Sequence, residues 1–145
     1  MIFKGASKAS KGENETNGVL TSPNFGVTFY PHNLNLKQTI QVEKGKAIRI
    51  HFTDFDVEQT PNGQCDYVVI TEGDGSTLAN IRPSTPSFGL RDIADEFFSK
   101  TDTVHILFHT DDSINRQGWR LIWGERNTAL FLLQSTEIFF RSCWG

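Results

Sequence analysis

On an extended strand, side chains point alternately to opposite faces. A run with an apolar residue at every second position therefore buries one face as a strand and cannot make the 3.6-residue stripe of a helix. Five runs of this sequence carry that alternation. In Lys46–Phe52 the apolar set is Ile48, Ile50 and Phe52, with Arg49 and His51 between them. Thr103–His109 contributes Val104, Ile106 and Phe108, and Gly118–Trp123 contributes Trp119, Leu121 and Trp123. Gln38–Val42 gives Ile40 and Val42. Asp66–Thr71 gives Val68 and Ile70, while Val69 makes the opposite face apolar as well, as expected of a central strand. No stretch sustains a helical stripe. Five or more half-apolar strands need a second sheet to cover them, so the expected fold is all-β, with a two-sheet antiparallel β-sandwich or jelly roll following more easily than an open sheet.

Turn chemistry divides the same region. Ser22-Pro23-Asn24, Tyr30-Pro31-His32-Asn33, Glu43-Lys44-Gly45, Thr60-Pro61-Asn62-Gly63 and Glu72-Gly73-Asp74-Gly75 all read as turns. Ile81–Asp95 carries Pro83 and Pro86 without periodicity and reads as a long connection. Residues 1–17 are polar and aperiodic, a leader expected to be flexible and to stay out of the core. Residues 18–125 form the expected sandwich. Residues 126–145 hold two apolar clusters, Ala129–Leu133 and Ile138–Phe140, in an atypical C-terminal extension to which no function is assigned.

Composition removes several classes of function. The chain has 145 residues, enough for one ordinary domain, and 37% of them are hydrophobic, enough for a core. A net charge of −3 with no Lys/Arg-dense stretch argues against a nucleic-acid partner, because phosphate binding needs clustered cations. No apolar run reaches the length of about eighteen residues that a membrane span requires, and the opening residues show no signal-peptide apolar region. The four histidines, His32, His51, His105 and His109, show neither HExxH spacing nor a cysteine partner, and there is no Gly-x-Ser-x-Gly elbow, so no enzyme is expected. The two cysteines, Cys65 and Cys143, make at most one intrachain bridge, which by itself points to a reducing compartment or a core without staples.

Four ordered blocks resemble a CUB domain. GVLTSPNFGVTFYPHNLNLKQTI matches the family's Ser-Pro-Asn-aromatic and Tyr-Pro-x-Asn opening, and GKAIRIHFTDFDVE matches its Phe-x-x-Phe-x-aliphatic-Glu strand end. DYVVITEGDG matches Asp-x-Val-x-Ile with an Asp-Gly turn, and VHILFHTDDSINRQGWRLIW matches Asp-x-Ser followed by Gly-aromatic and a closing strand. The resemblance spans about Gly18–Trp123. It implies a jelly-roll sandwich serving as a non-catalytic binding module in extracellular or cell-surface proteins. Against that background the cysteines describe how the core is held more than where the chain works: Leu36 stands where a family cysteine is usual, Gln38 where a Trp is common, and Phe88 near another cysteine slot. Cys65 is expected to be a free, largely buried thiol, with a bridge to Cys143 as the alternative.

The resemblance also implies a cofactor, calcium. A subset of CUB domains binds it through a Glu ending the second block, an Asp opening the next strand and an Asp-x-Ser; here these are Glu58, Asp66 and Asp111, with Ser113 offering a backbone carbonyl. Calcium takes six to eight oxygen ligands, so three carboxylates plus carbonyls and waters suit it, and without a cation three converging carboxylates repel one another. The Asn that often follows the Ser is replaced by Ile114, with Asp112 or Asn115 as compensating candidates. The same resemblance implies a protein partner presenting Lys or Arg to Glu58, Asp66 and Asp111, with His109 and Asp56 near the rim. Two alternatives compete: a carbohydrate- or lipid-binding sandwich using Phe29, Tyr30 or Trp119, which read better as core or turn residues, and a calcium-independent structural module of a larger protease or matrix chain. Asn14-Glu15-Thr16 is a glycosylation sequon if the chain is secreted.

Overall fold

The structure, a computed structural model, describes residues 2–4 and 17–127. Among them are nine strands and one short 3₁₀ turn: β1 (Ile2–Lys4), β2 (Asn17–Thr21), β3 (Asn35–Gln41), β4 (Lys46–Asp56), β5 (Tyr67–Glu72), β6 (Thr77–Ile81), the turn Leu90–Asp92, β7 (Phe97–Phe98), β8 (Thr103–His109) and β9 (Gly118–Asn127). They form two sheets, ordered β1-β3-β8-β5-β6 and β2-β9-β4-β7. Every pairing is antiparallel except β1 with β3, which is parallel. The all-β sandwich expected from the alternation is the architecture found.

The alternation explains the layers. Ile48, Ile50 and Phe52 of β4 and Trp119, Leu121 and Trp123 of β9 turn inward from one sheet. They meet Ile40, Val68, Ile70, Val104, Ile106 and Phe108 from the other. Burying such side chains is worth roughly 1.5–3 kcal/mol each before the entropy of ordering is charged against it. Rings lock the centre edge to face: Phe52 and Phe108 stand 6.0 and 5.9 Å from Trp119, with interplanar angles of 78° and 81°. Leu36 and Phe88, at the expected cysteine slots, pack against this core from its margin. Val69 lies on the outer face of β5, a strand flanked by β6 and β8, and is half-buried there.

Three boundaries differ from the sequence reading. Ile2–Lys4, inside the expected leader, pair with Lys37–Thr39 at the edge of a sheet, and Asn17 opens β2 opposite Gly124. A three-residue strand is too short for periodicity to reveal it. The long connection is also divided: Ile81 closes β6, Leu90–Asp92 makes its turn, and Phe97–Phe98 pair with Arg49 and Ile50. Last, β9 runs on to Asn127 because Lys46 and Ala47 continue the ladder. The sequon, the rest of the C-terminal extension and Cys143 lie outside the described residues.

One end of the sandwich is knitted by its loops. Thr110, just after β8, donates through Oγ1 to the Pro31 carbonyl at 2.9 Å and accepts from Leu34 N–H at 2.8 Å. Asn33 N–H donates to the Asp111 carbonyl at 2.8 Å, from the left-handed conformation (φ 56°) that Asn tolerates well. Asn115 Nδ2 donates to the Tyr30 carbonyl at 2.8 Å, and Tyr30 N–H to the Arg116 carbonyl at 3.0 Å. Gly118 (φ 99°) starts β9 where a Cβ would collide with Ser22 Oγ. These ties fix the loop after β2 against the loop between β8 and β9.

Candidate metal centre

A buried tyrosine hydroxyl must find partners, and Tyr30 finds them in the predicted site. Its ring is fully buried, edge-on to Phe108 at 5.0 Å. Its hydroxyl donates to Asp66 Oδ2 at 2.7 Å and accepts from Glu58 N–H at 3.1 Å. Asp66 Oδ1 accepts from Asp111 N–H at 2.9 Å. One phenol and one carboxylate thereby tie together the end of β4, the entry of β5 and the exit of β8.

Asp66 is fully buried with both oxygens engaged. Glu58 is 6% exposed, and its Oε1 is buried without a hydrogen-bond partner. Asp111 is half-buried, and its Oδ1 accepts from Ser113 N–H at 3.1 Å, closing an Asx turn that presents the loop. Ligand atoms of Glu58, Asp111 and Cys65 lie within 4.8 Å of one another.

The electrostatics follow from this convergence. Burial, then the charges of Asp66 and Asp111, push the Glu58 carboxyl up to about 7. Burial also raises Asp66, although the Tyr30 hydroxyl and Asp111 N–H work against it. Burial alone would raise Asp111 too, but Ser113 N–H, the Cys65 thiol and Asp66 together hold it below the usual carboxylate range. Hydrogen bonding to the Asp111 carboxylate, followed by burial, pushes the Cys65 thiol up. Burial and the neighbouring carboxylates raise the Tyr30 hydroxyl far above the usual phenol range, so it stays a donor. A dication here would satisfy the stranded Glu58 oxygen and remove the repulsion, and the oxygen-rich donor set has the hardness calcium prefers.

Glu58, Asp66 and Asp111 therefore converge, and Ser113 stands beside Asp111. The rim candidates do not join them. Asp56 is held by Arg116 Nε at 2.8 Å and Gln117 N–H at 3.2 Å, and His109 stacks on Tyr67 at 4.9 Å and meets Asn35 Oδ1 at 2.8 Å. Asn115 points its amide nitrogen at the Tyr30 carbonyl, whereas Asp112 is exposed. Ile114 occupies a left-handed position (φ 46°) with 58% of its surface exposed. Of the aromatics weighed as a sugar or lipid platform, Tyr30 and Trp119 are fully buried and present no face; Phe29 is 51% exposed and contributes little to the core.

Two participants escape the sequence reading. Sequence gives Tyr30 a packing role alone, although a hydroxyl destined for burial announces a polar partner. It gives Cys65 the role of a buried hydrophobe; in the structure Cys65 is a free, half-buried thiol facing the acids, and its adjacency to Asp66 is the available signal.

Comparison with known proteins gives the same family. The CUB domain family model matches residues 10–123. The chain is 30% identical over 121 residues to cubilin of Rattus norvegicus, covering 77% of this chain and 3% of that protein. It is 33% identical over 105 residues to mannan-binding lectin serine protease 1 of Homo sapiens, covering 72% of this chain and 14% of that one. The chain thus spans only a small part of the curated relatives it matches. The crystal structure of the MASP-1 CUB2 domain bound to Ca2+ superposes with a TM-score of 0.62 at 24% identity, covering 85% of this chain and 96% of that one. With its jelly-roll sheets, its four sequence blocks and a family match across most of its length, the chain belongs to the CUB domain family.

Proposed function

We propose that this CUB domain is a non-catalytic binding module that holds calcium at the loop end of its sandwich and uses the ion-organised carboxylates to receive a Lys or Arg from a protein partner. The observation that carries the reading is Glu58: a carboxylate oxygen buried without a partner, beside Asp66 and Asp111. Burying such a group is costly unless a positive charge meets it. Glu58 and Asp111 would ligate through carboxylates and Ser113 through its backbone carbonyl. Asp66 would ligate at the cost of sharing oxygens with Tyr30 and Asp111 N–H. The bound ion supplies positive charge; the residues themselves position the loops and leave carboxylate oxygens for a basic side chain, a salt-sensitive, charge-assisted contact. A structural neighbour solved with Ca2+ supports the choice of ion. By likeness to its family, the module works outside the cell or on its surface, as part of a longer chain with further domains. Among the described residues no helix is long and apolar enough to cross a membrane.

The test is a calorimetric calcium titration of the wild type and Asp111→Ala, followed by binding to an immobilised lysine-containing peptide with calcium and with chelator. One calcium should bind the wild type, and the peptide should be retained only with calcium. At calcium about 100 times its Kd the folded state gains about 2.7 kcal/mol, which raises the melting temperature by several degrees. An unchanged melting temperature at millimolar calcium refutes the site, and calcium-independent peptide retention refutes the mode of partner binding.

A further inference from the structure

The acidic site contains a sulfur that calcium has no use for. Cys65 Sγ and one oxygen each of Glu58 and Asp111 lie within 4.8 Å of one another. Glu58 is more than nine-tenths buried, and its Oε1 has no hydrogen-bond partner. Asp66 adjoins the trio but its oxygens already accept from the Tyr30 hydroxyl and Asp111 N–H. Hard cations such as calcium select oxygen, whereas a thiolate among the donors selects softer ions such as zinc.

We propose that Glu58, Cys65 and Asp111 form a site for a thiophilic divalent cation of the zinc class, with one thiolate and two carboxylates as protein ligands and water completing the shell. Three protein ligands plus water is the arrangement of an open tetrahedral site. With bonds of about 2.0 Å to oxygen and about 2.3 Å to sulfur, such an ion needs ligand atoms about 3.5 Å apart. A separation of at most 4.8 Å closes to that by side-chain rotation of half-buried Cys65 and Asp111. Coordination exchanges the S–H bond for an S–metal bond and releases the proton to solvent, with no change of oxidation state. The inference goes beyond the calcium reading and does not require it: both ions would use Glu58 and Asp111, but only the softer one uses Cys65. The two would therefore compete.

The chain has two cysteines, so the test uses the full chain carrying Cys143→Ser, in which Cys65 is the single thiol. Cadmium is titrated while near-ultraviolet thiolate-to-metal charge-transfer absorbance is followed, with zinc as competitor. A band should saturate at one equivalent, disappear when zinc or chelator is added, and be absent when the chain also carries Cys65→Ser. Glu58→Gln should weaken cadmium binding by roughly tenfold or more. No band in the folded protein overturns the proposal, and so does a band that survives Cys65→Ser or is equally tight in Glu58→Gln, the mark of a lone thiol. Calcium calorimetry on the same proteins separates the two readings. Calcium binding without the cadmium band overturns the soft-metal site alone, and the band without calcium binding overturns the calcium reading alone.

Discussion

Glu58→Gln should make the metal-free protein more stable, and more so at alkaline pH. Burial and the charges of Asp66 and Asp111 raise the folded-state carboxyl from 4.5 to about 7. A group whose folded value lies above its unfolded one favours folding while protonated. That contribution is complete below about 4.5 and is lost as the pH climbs through about 7. At about pH 8 the ionised Glu58 therefore costs the folded state about 3 kcal/mol, since each tenfold change in proton affinity is worth about 1.4 kcal/mol. At about pH 5 the side chain is already protonated when folded, and the cost falls below about 1 kcal/mol. Glutamine has nearly the shape of the neutral acid and cannot ionise. Urea unfolding in chelator at the two pH values should show the variant ahead of wild type by about 3 kcal/mol at the higher pH and by under about 1 kcal/mol at the lower. Millimolar calcium at about pH 8 should close most of that gap, because the wild type gains about 2.7 kcal/mol of binding energy at calcium about 100 times its Kd and the variant, short of one carboxylate, does not. A variant less stable than wild type in chelator at about pH 8, or a difference that does not change with pH, would refute the reasoning.

Tyr30→Phe removes the hydroxyl that joins Asp66 to Glu58 N–H. With two buried polar groups stranded, it should cost about 1–3 kcal/mol in urea unfolding and weaken calcium binding in calorimetry, while β-sheet circular dichroism stays unchanged. Ile114→Asn should gain about 1 kcal/mol in the same unfolding assay, because a β-branched residue at φ 46° is strained where Asn is at ease. No gain would mean that the loop adapts to the isoleucine without cost.

The core was legible because its signal is local and repeated. Ile48-Ile50-Phe52, Val104-Ile106-Phe108 and Trp119-Leu121-Trp123 each declare an inward face over three alternate positions, and all nine are buried. β1, β2, β6 and β7 were not legible from alternation; in Asn17–Thr21 the apolar residues Val19 and Leu20 are adjacent and not alternate. Ile2–Lys4 and Phe97–Phe98 are too short to show a period, and Thr77–Ile81 sits beside a Gly-rich turn and a proline-bearing stretch that hide its alternation. Their pairing is decided by what neighbouring strands leave open at the sheet edges.

The candidate site divides the same way. Glu58, Asp66 and Asp111 could be named in advance because the family resemblance marks them; they lie just past β4, just before β5 and just past β8. Asp56 and His109 were drawn toward the site by nearness in sequence alone, but Arg116 and Tyr67 hold them elsewhere. What the sequence determined by itself was an all-β chain with a buried alternating face and turns between its strands, since side-chain period and turn chemistry are properties of neighbouring residues; the three acids came from the family resemblance. Only the tertiary structure decided that Asp66 would be fully bonded while Glu58 kept a stranded oxygen, and that Cys65 would face the acids. Those outcomes depend on distances between loops that lie far apart in the chain, and they are set by how two packed sheets bring their ends together.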